Sequence, residues 1–137
     1  MIRAEVIRRR LVRLDEYVGI LRTMQGYSLA EFVANPERYG SAERFLQLSI
    51  ETLLDVGSHV IAALDLGVVN WYSDIPAILA ERGHIDADLR EKWIRMIGFR
   101  NVLVHGYLEI DRQIVYDVLQ HHLDDLLALR RALAQFL

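Results

Sequence analysis

No cysteine occurs among the 137 residues. That one absence removes disulfides, thiolate metal ligands and thiol nucleophiles together, and it suits a reducing compartment, so the expected location is the cytoplasm. Lysine is almost as scarce: Lys92 is the one example, and arginine supplies the rest of the permanent positive charge. Arginine's planar fork favours bidentate contact with phosphate, although arginine-rich chains are common enough for this to carry little weight. A basic excess is missing too. The formal net charge is −3, which argues against a broad nucleic-acid-binding coat and leaves room only for a small local cluster. No apolar run approaches the roughly 18 uncharged residues of a membrane span, and Arg8, Arg9 and Arg10 interrupt any leader-like core near the N-terminus. Neither a membrane segment nor a leader is expected.

What the chain has in plenty is apolar surface, with 53% hydrophobic against 26% charged residues. That is ample to offset the entropy of ordering a backbone, and it excludes a mainly disordered protein. The length is near the commonest size for one domain, so residues 1–137 are expected to share one core.

Ile7, Leu11, Leu14, Val18 and Leu21 alternate steps of four and three, which predicts a helix from about Val6 that Gly26 stops. Ser28 to Asn35 reads as a short helical turn, and Asn35-Pro36 as a boundary because proline pushes its predecessor out of helical geometry. Leu46, Ile50, Leu53, Val60 and Leu64 predict a long central helix from about Ser41 to Leu66, with Gly67 as C-cap. Ser73 or Asp74 opens a shorter helix through Arg82, closed by Gly83; Pro76 is tolerated in its first turn. Asp86 opens another that carries Leu89, Trp93, Met96 and Ile97 toward Val104. A last amphipathic segment runs from Asp111 to about Phe136. The short run Gly67-Val68-Val69-Asn70 is read as a loop. With no convincing strand, the expected fold is all-α: an antiparallel bundle of four to five helices.

The stretch from Phe99 to Tyr107 places a permanent cation, an amide, an imidazole and a phenol at a helix end beside Gly106. Histidine can move the proton of a ribose 2′-hydroxyl near neutral pH, and arginine can neutralise charge building on a phosphate, so the pair suffices for RNA cleavage without metal or other cofactor. On a continuous helix Arg100 and His105 would diverge by about 140°. On spacing alone, the catalytic reading is outweighed by a capping histidine beside a surface arginine.

The pattern Arg100-x4-His105-x-Tyr107, with Asn101 after the arginine, resembles the HepT family of the HEPN superfamily. Glu43 to Glu51 with Leu54 to Ile61 is similar to that family's second long helix, and Tyr72 to Ile75 with Ile78 and Leu79 to its short third one. The resemblance implies a homodimer whose paired motifs line a cleft, metal-independent RNA cleavage, and a toxin acting beside an MntA-like nucleotidyltransferase antitoxin. It implies that Arg100 holds the scissile phosphate, that His105 is the general acid and base with Asn101 in support, and that Tyr107 accepts AMP from the antitoxin, whose added charge repels substrate. DNA is not an expected partner. The alternative is a noncatalytic helical module that binds a nucleotidyltransferase or a nucleotide.

Other residues invite function less strongly. Glu51, Asp55 and His59 recur every four residues as a polar stripe, either supporting the site or simply solvated or facing a second subunit. Arg8, Arg9, Arg10 and Arg13 border an RNA path or, the favoured reading, pair with acids such as Asp15 and Glu16. His121 and His122 beside Asp124 and Asp125 lack the cysteine or glutamate of a familiar zinc set, so no metal is expected there. His84, next to Gly83, is read as a helix-end residue. Trp71, Tyr72 and Trp93 are candidates to stack bases or, more commonly, to fill a core or a subunit seam.

Overall fold

The computed structural model describes residues 1–106 and 110–137, and among them it has seven α-helices, a final 3₁₀ turn and no strand. The helices are α1 (Ala4–Met24), α2 (Leu29–Val33), α3 (Pro36–Ala63), α4 (Asp74–Glu81), α5 (Ala87–His105), α6 (Arg112–His121) and α7 (Leu123–Leu133). Their ends follow from local chemistry. Ser28 and Glu31 form a reciprocal capping box at α2. Asn35 accepts the Glu37 amide at 2.9 Å at the start of α3, and Asp86 accepts the Leu89 amide at 2.8 Å at the start of α5.

Three boundaries differ from the sequence reading, each for a physical reason. α3 begins at Pro36 rather than near Ser41, because Asn35 caps it and proline fits the first turn, where no intrahelical donor is needed. Its C-terminal cap is set by Asp65 rather than Gly67. Asp65 takes the left-handed conformation, with φ of 53°, while the Leu66 amide donates to the Ile61 carbonyl at 3.0 Å. The last segment breaks into α6 and α7 at His122. There the Leu119 carbonyl, which a continuous helix would offer to the Leu123 amide, instead accepts from the Gln25 side chain at 2.9 Å. Gly83 closes α4 as read, with φ of 78° and the His84 amide donating to the Leu79 carbonyl.

α3 is the spine, packed against α1, α4, α5, α6 and α7. The stripe Ile7, Leu11, Leu14, Val18 and Leu21 is buried in α1, and Leu46, Ile50, Leu53, Val60 and Ile61 are buried in α3. Trp93 of α5 is fully enclosed, and it approaches the spine at Gly57. A Cβ at Gly57 would lie 2.5 Å from Ile75 Cγ2 of α4 and 2.9 Å from Trp93 Cη2. The absent side chain is what lets α4 and α5 seat on α3. No helix among the described residues is long and apolar enough to cross a membrane.

Candidate active site

The core-facing residues of α5, Trp93, Met96 and Ile97, anchor the helix and thereby direct its last two turns to one edge of the bundle. Ile97, Asn101 and His105 recur every four residues and share a face of this helix. Opposite them lies the turn before α4, with Trp71, Tyr72 and Ser73. Together with Arg100 these residues line an open groove of about 490 Å³. α5 stays helical through His105, so Arg100 and His105 do diverge around the helix axis, yet both border the same groove.

Arg100 is the most constrained group in the groove. Its side chain is 14% exposed, and Nη2 lies 3.6 Å from Oε2 of Glu51 on the spine. Nη1 donates to Oδ1 of Asn101 at 3.3 Å. The guanidinium also sits over the Tyr72 ring, 4.9 Å from its centroid, a placement that a cation gains from the ring's quadrupole. Nε is buried and has no hydrogen-bond partner. Glu51 in turn accepts from Gln47 Nε2 at 3.2 Å, so the carboxylate is itself oriented. By contrast, His105 is exposed at the helix end and open to solvent.

Tyr107 lies outside the described residues. Asn101 is exposed beside Arg100. Two contacts of Arg100 are not readable from the sequence: Glu51 stands there within a stripe that either supports the site or is simply solvated, and Tyr72 among aromatics that either stack bases or fill a core. Only tertiary packing brings Glu51 to Arg100, across 49 positions of chain.

The rest of the stripe does something else. His59 Nε2 accepts the Arg3 amide at 3.2 Å, and Asp55 pairs with Arg10 at 3.0 Å. Both fasten α1 to the spine. The N-terminal arginines are largely paired with acids: Arg8 and Arg9 with Glu5, and Arg13 with Glu16 at 3.6 Å. Asp15 is engaged differently, by Arg130 of α7. Arg9, Arg10 and Arg13 border a larger cavity of about 590 Å³ between α1 and α3, where their charges are mostly neutralised. Surface pairs of this kind contribute little stability individually. His122 bonds Asp125 at 3.0 Å, and among the described residues no three His, Cys, Asp or Glu side chains gather as a metal site. The His84 ring packs against Phe136 at the end of α4.

Comparison with known proteins gives the chain's relatives. A family model described as ribonuclease HepT-like matches residues 7–133. An mRNA nuclease HepT from Shewanella oneidensis is 35% identical over 80 residues, which is 58% of this chain and 60% of that protein. A tRNA nuclease HepT from Aphanizomenon flos-aquae is 27% identical over 113 residues, 81% of this chain and 76% of that one. The match to the Shewanella relative thus spans less than two thirds of that protein. Among solved structures, the tri-AMPylated HEPN toxin of Shewanella oneidensis in complex with MNT antitoxin has a TM-score of 0.85 at 25% identity, covering 93% of this chain and 95% of that one. The fold also matches the cytosolic protein YutE of Bacillus subtilis, of unknown function, with a TM-score of 0.71 at 18% identity over 91% of this chain and 88% of that one. Since the family model takes in nearly the whole sequence, from α1 to the end of α7, the chain belongs to the HepT-like ribonuclease family.

Proposed function

We propose that this protein is a toxin ribonuclease that cleaves RNA at the groove formed by α5 and the turn before α4, and that it works beside an MntA-like nucleotidyltransferase antitoxin. The observation that carries this reading is the convergence of Arg100, Asn101 and His105 on one open groove, with Arg100 held by an acid and a ring. A solvated surface arginine needs no such support.

In this mechanism the ribose 2′-hydroxyl attacks the neighbouring phosphorus while His105 takes its proton. The bond from phosphorus to the 5′-oxygen breaks, leaving a 2′,3′-cyclic phosphate and a 5′-hydroxyl. Arg100 holds the phosphate and stabilises the charge that builds on its oxygens. Asn101 keeps the guanidinium oriented. One imidazole cannot readily act as base and acid in a single event, so a second copy of the chain supplies the proton for the leaving oxygen. The active form is therefore a homodimer with paired motifs. Neither step calls for a divalent ion. Tyr107 is the AMP acceptor, and each added phosphate places negative charge where RNA must bind.

The test is cleavage of end-labelled RNA in the presence of a chelator. The wild-type protein is expected to cut and leave cyclic phosphate ends, and Arg100→Ala or His105→Ala to lose roughly 100-fold or more in rate while remaining folded by circular dichroism. Full activity in His105→Ala would overturn the mechanism. For Tyr107, mass analysis after incubation with ATP and the partner nucleotidyltransferase reads the modification, and an unmodified tyrosine under conditions where the partner is active would remove the regulatory step.

A further inference from the structure

Trp71 is 75% exposed, whereas the other tryptophan, Trp93, is 0% exposed. Leaving so large an apolar ring in water forgoes the burial that usually accounts for a tryptophan. The exposure does not come from a slack backbone. Asp74 Oδ2 accepts both the Asn70 and the Trp71 amides at 2.9 Å, and the Trp71 carbonyl accepts the Asp74 amide at 3.0 Å. The turn is pinned while its indole stands open at the rim of the groove that Arg100 and His105 border. The next ring along, Tyr72, already carries the Arg100 guanidinium. Among the described residues no ring or guanidinium stacks on Trp71.

Resting on the ribonuclease reading above, we propose that Trp71 is a base-stacking platform, a substrate-binding residue that holds a nucleobase next to the phosphate engaged by Arg100. A flat π-face beside a cation matches the two halves of a nucleotide, base and phosphate. The groove volume of about 490 Å³ falls within the size of sites that bind ligands of this kind. The wall facing Trp71 offers a cation, an amide and an imidazole beside Ile97, polar groups that can pair with the phosphate and the edge of a stacked base. Stacking is tolerant of base identity, so Trp71 sets register and affinity and not a strict sequence.

Two measurements test this. First, a 2′-O-methyl oligonucleotide, which lacks the nucleophile, is titrated into the wild-type protein while tryptophan fluorescence is read. Trp93 is out of contact with solvent, so saturable quenching reports Trp71, and Trp71→Phe should abolish it. Second, in RNA cleavage Trp71→Ala should raise KM about tenfold with kcat changed less than about threefold, the loss expected for one base–aromatic stack. Trp71→Phe, which keeps a ring, should recover most of that loss. Unaltered KM in Trp71→Ala, or no quenching at oligonucleotide concentrations that saturate binding, overturns the proposal even where wild-type protein cuts RNA. So does a result in which Trp71→Ala leaves KM alone but weakens self-association or capture of the nucleotidyltransferase, since the ring then serves a protein interface. If the wild-type protein cuts no RNA at all, the ribonuclease reading fails, and absence of quenching in the same titration decides separately against Trp71.

Discussion

Replacing Gly57 with alanine should destabilise the protein, although alanine is the better helix former. In the interior of a helix the exchange ordinarily gains about 0.5–1 kcal/mol. At Gly57 the new methyl would sit 2.5 Å from Ile75 Cγ2 and 2.9 Å from Trp93 Cη2, against a comfortable carbon–carbon separation of about 3.5–4 Å. Both neighbours are fully enclosed, so neither can swing into solvent, and the overlap is relieved only by moving α4 or α5 off the spine. Overpacking of this kind costs about 1–3 kcal/mol, and with both neighbours enclosed the upper half of that range applies, leaving a net loss of about 1–2 kcal/mol. For a chain of this size that lowers Tm by about 4–8 °C.

The control is Gly19→Ala on the exposed face of α1, where nothing lies within 4 Å of the added Cβ. There the propensity gain stands alone, and Tm should rise by about 2–4 °C. Thermal melts followed by circular dichroism compare the two variants directly. A Gly57→Ala protein that melts at or above the wild type would refute the reasoning, because it would mean that α4 and α5 do not pack on the spine as closely as described. Since Ile75 lies one turn after Tyr72, the same displacement should also lower RNA cleavage measured well below the melting transition.

Other expectations follow from the ion pairs. Glu51→Ala removes the carboxylate that faces Arg100 at 3.6 Å, with both side chains less than a third exposed. It should cost about 1–3 kcal/mol of stability and lower the rate of RNA cleavage roughly tenfold by loosening the guanidinium; wild-type kinetics in that variant would show that Glu51 does not position Arg100. Arg130 bonds Asp15 twice, at 2.7 and 2.8 Å, joining α7 to α1. Arg130→Ala should cost about 1 kcal/mol in denaturant melts and leave cleavage unaltered, and a cleavage defect in a folded variant would contradict the placement of the site.

Much of the fold was legible because local rules and tertiary packing agree. The α1 stripe from Ile7 to Leu21 is buried as its spacing predicts, and Asp86 and Gly83 act as the cap and stop their residue types suggest. Two of the misreadings are local: Asn35 caps a helix that Pro36 opens, and Asp65 takes the left-handed position that glycine would be expected to fill. The third comes from a distant contact, where Gln25 captures the Leu119 carbonyl at the point at which the last helix divides. The same holds for the site. Arg100, Asn101 and His105 sit within six positions and are singled out as candidates by the motif, whereas Glu51 and Tyr72 reach Arg100 only through packing of the spine and the turn before α4. A stripe of period four shows that Glu51, Asp55 and His59 share a face, but not that one turns to α5 and the other two to α1.

On the proposed function, Arg100 and Arg130 contrast a functional with a structural arginine, and the difference lies in their partners. Arg130 has two short, charge-assisted bonds to one carboxylate, the geometry in which a guanidinium is most fully satisfied. Any incoming anion would have to displace both. Arg100 is buried more deeply yet satisfied less. Its acid stands off at 3.6 Å, its amide bond is 3.3 Å, and its Nε has no partner. Desolvation raises the worth of any anion that reaches it, while the loose contacts it must surrender are weak. Glu51 and the Tyr72 ring offset enough of the cost of burial to keep the fork in place without saturating it. In the proposed mechanism, a phosphate entering the groove would exchange long contacts for short ones, and the gain would be greatest as negative charge accumulates on its oxygens during attack. The arginine with poorer bonds in the free protein is the one suited to chemistry.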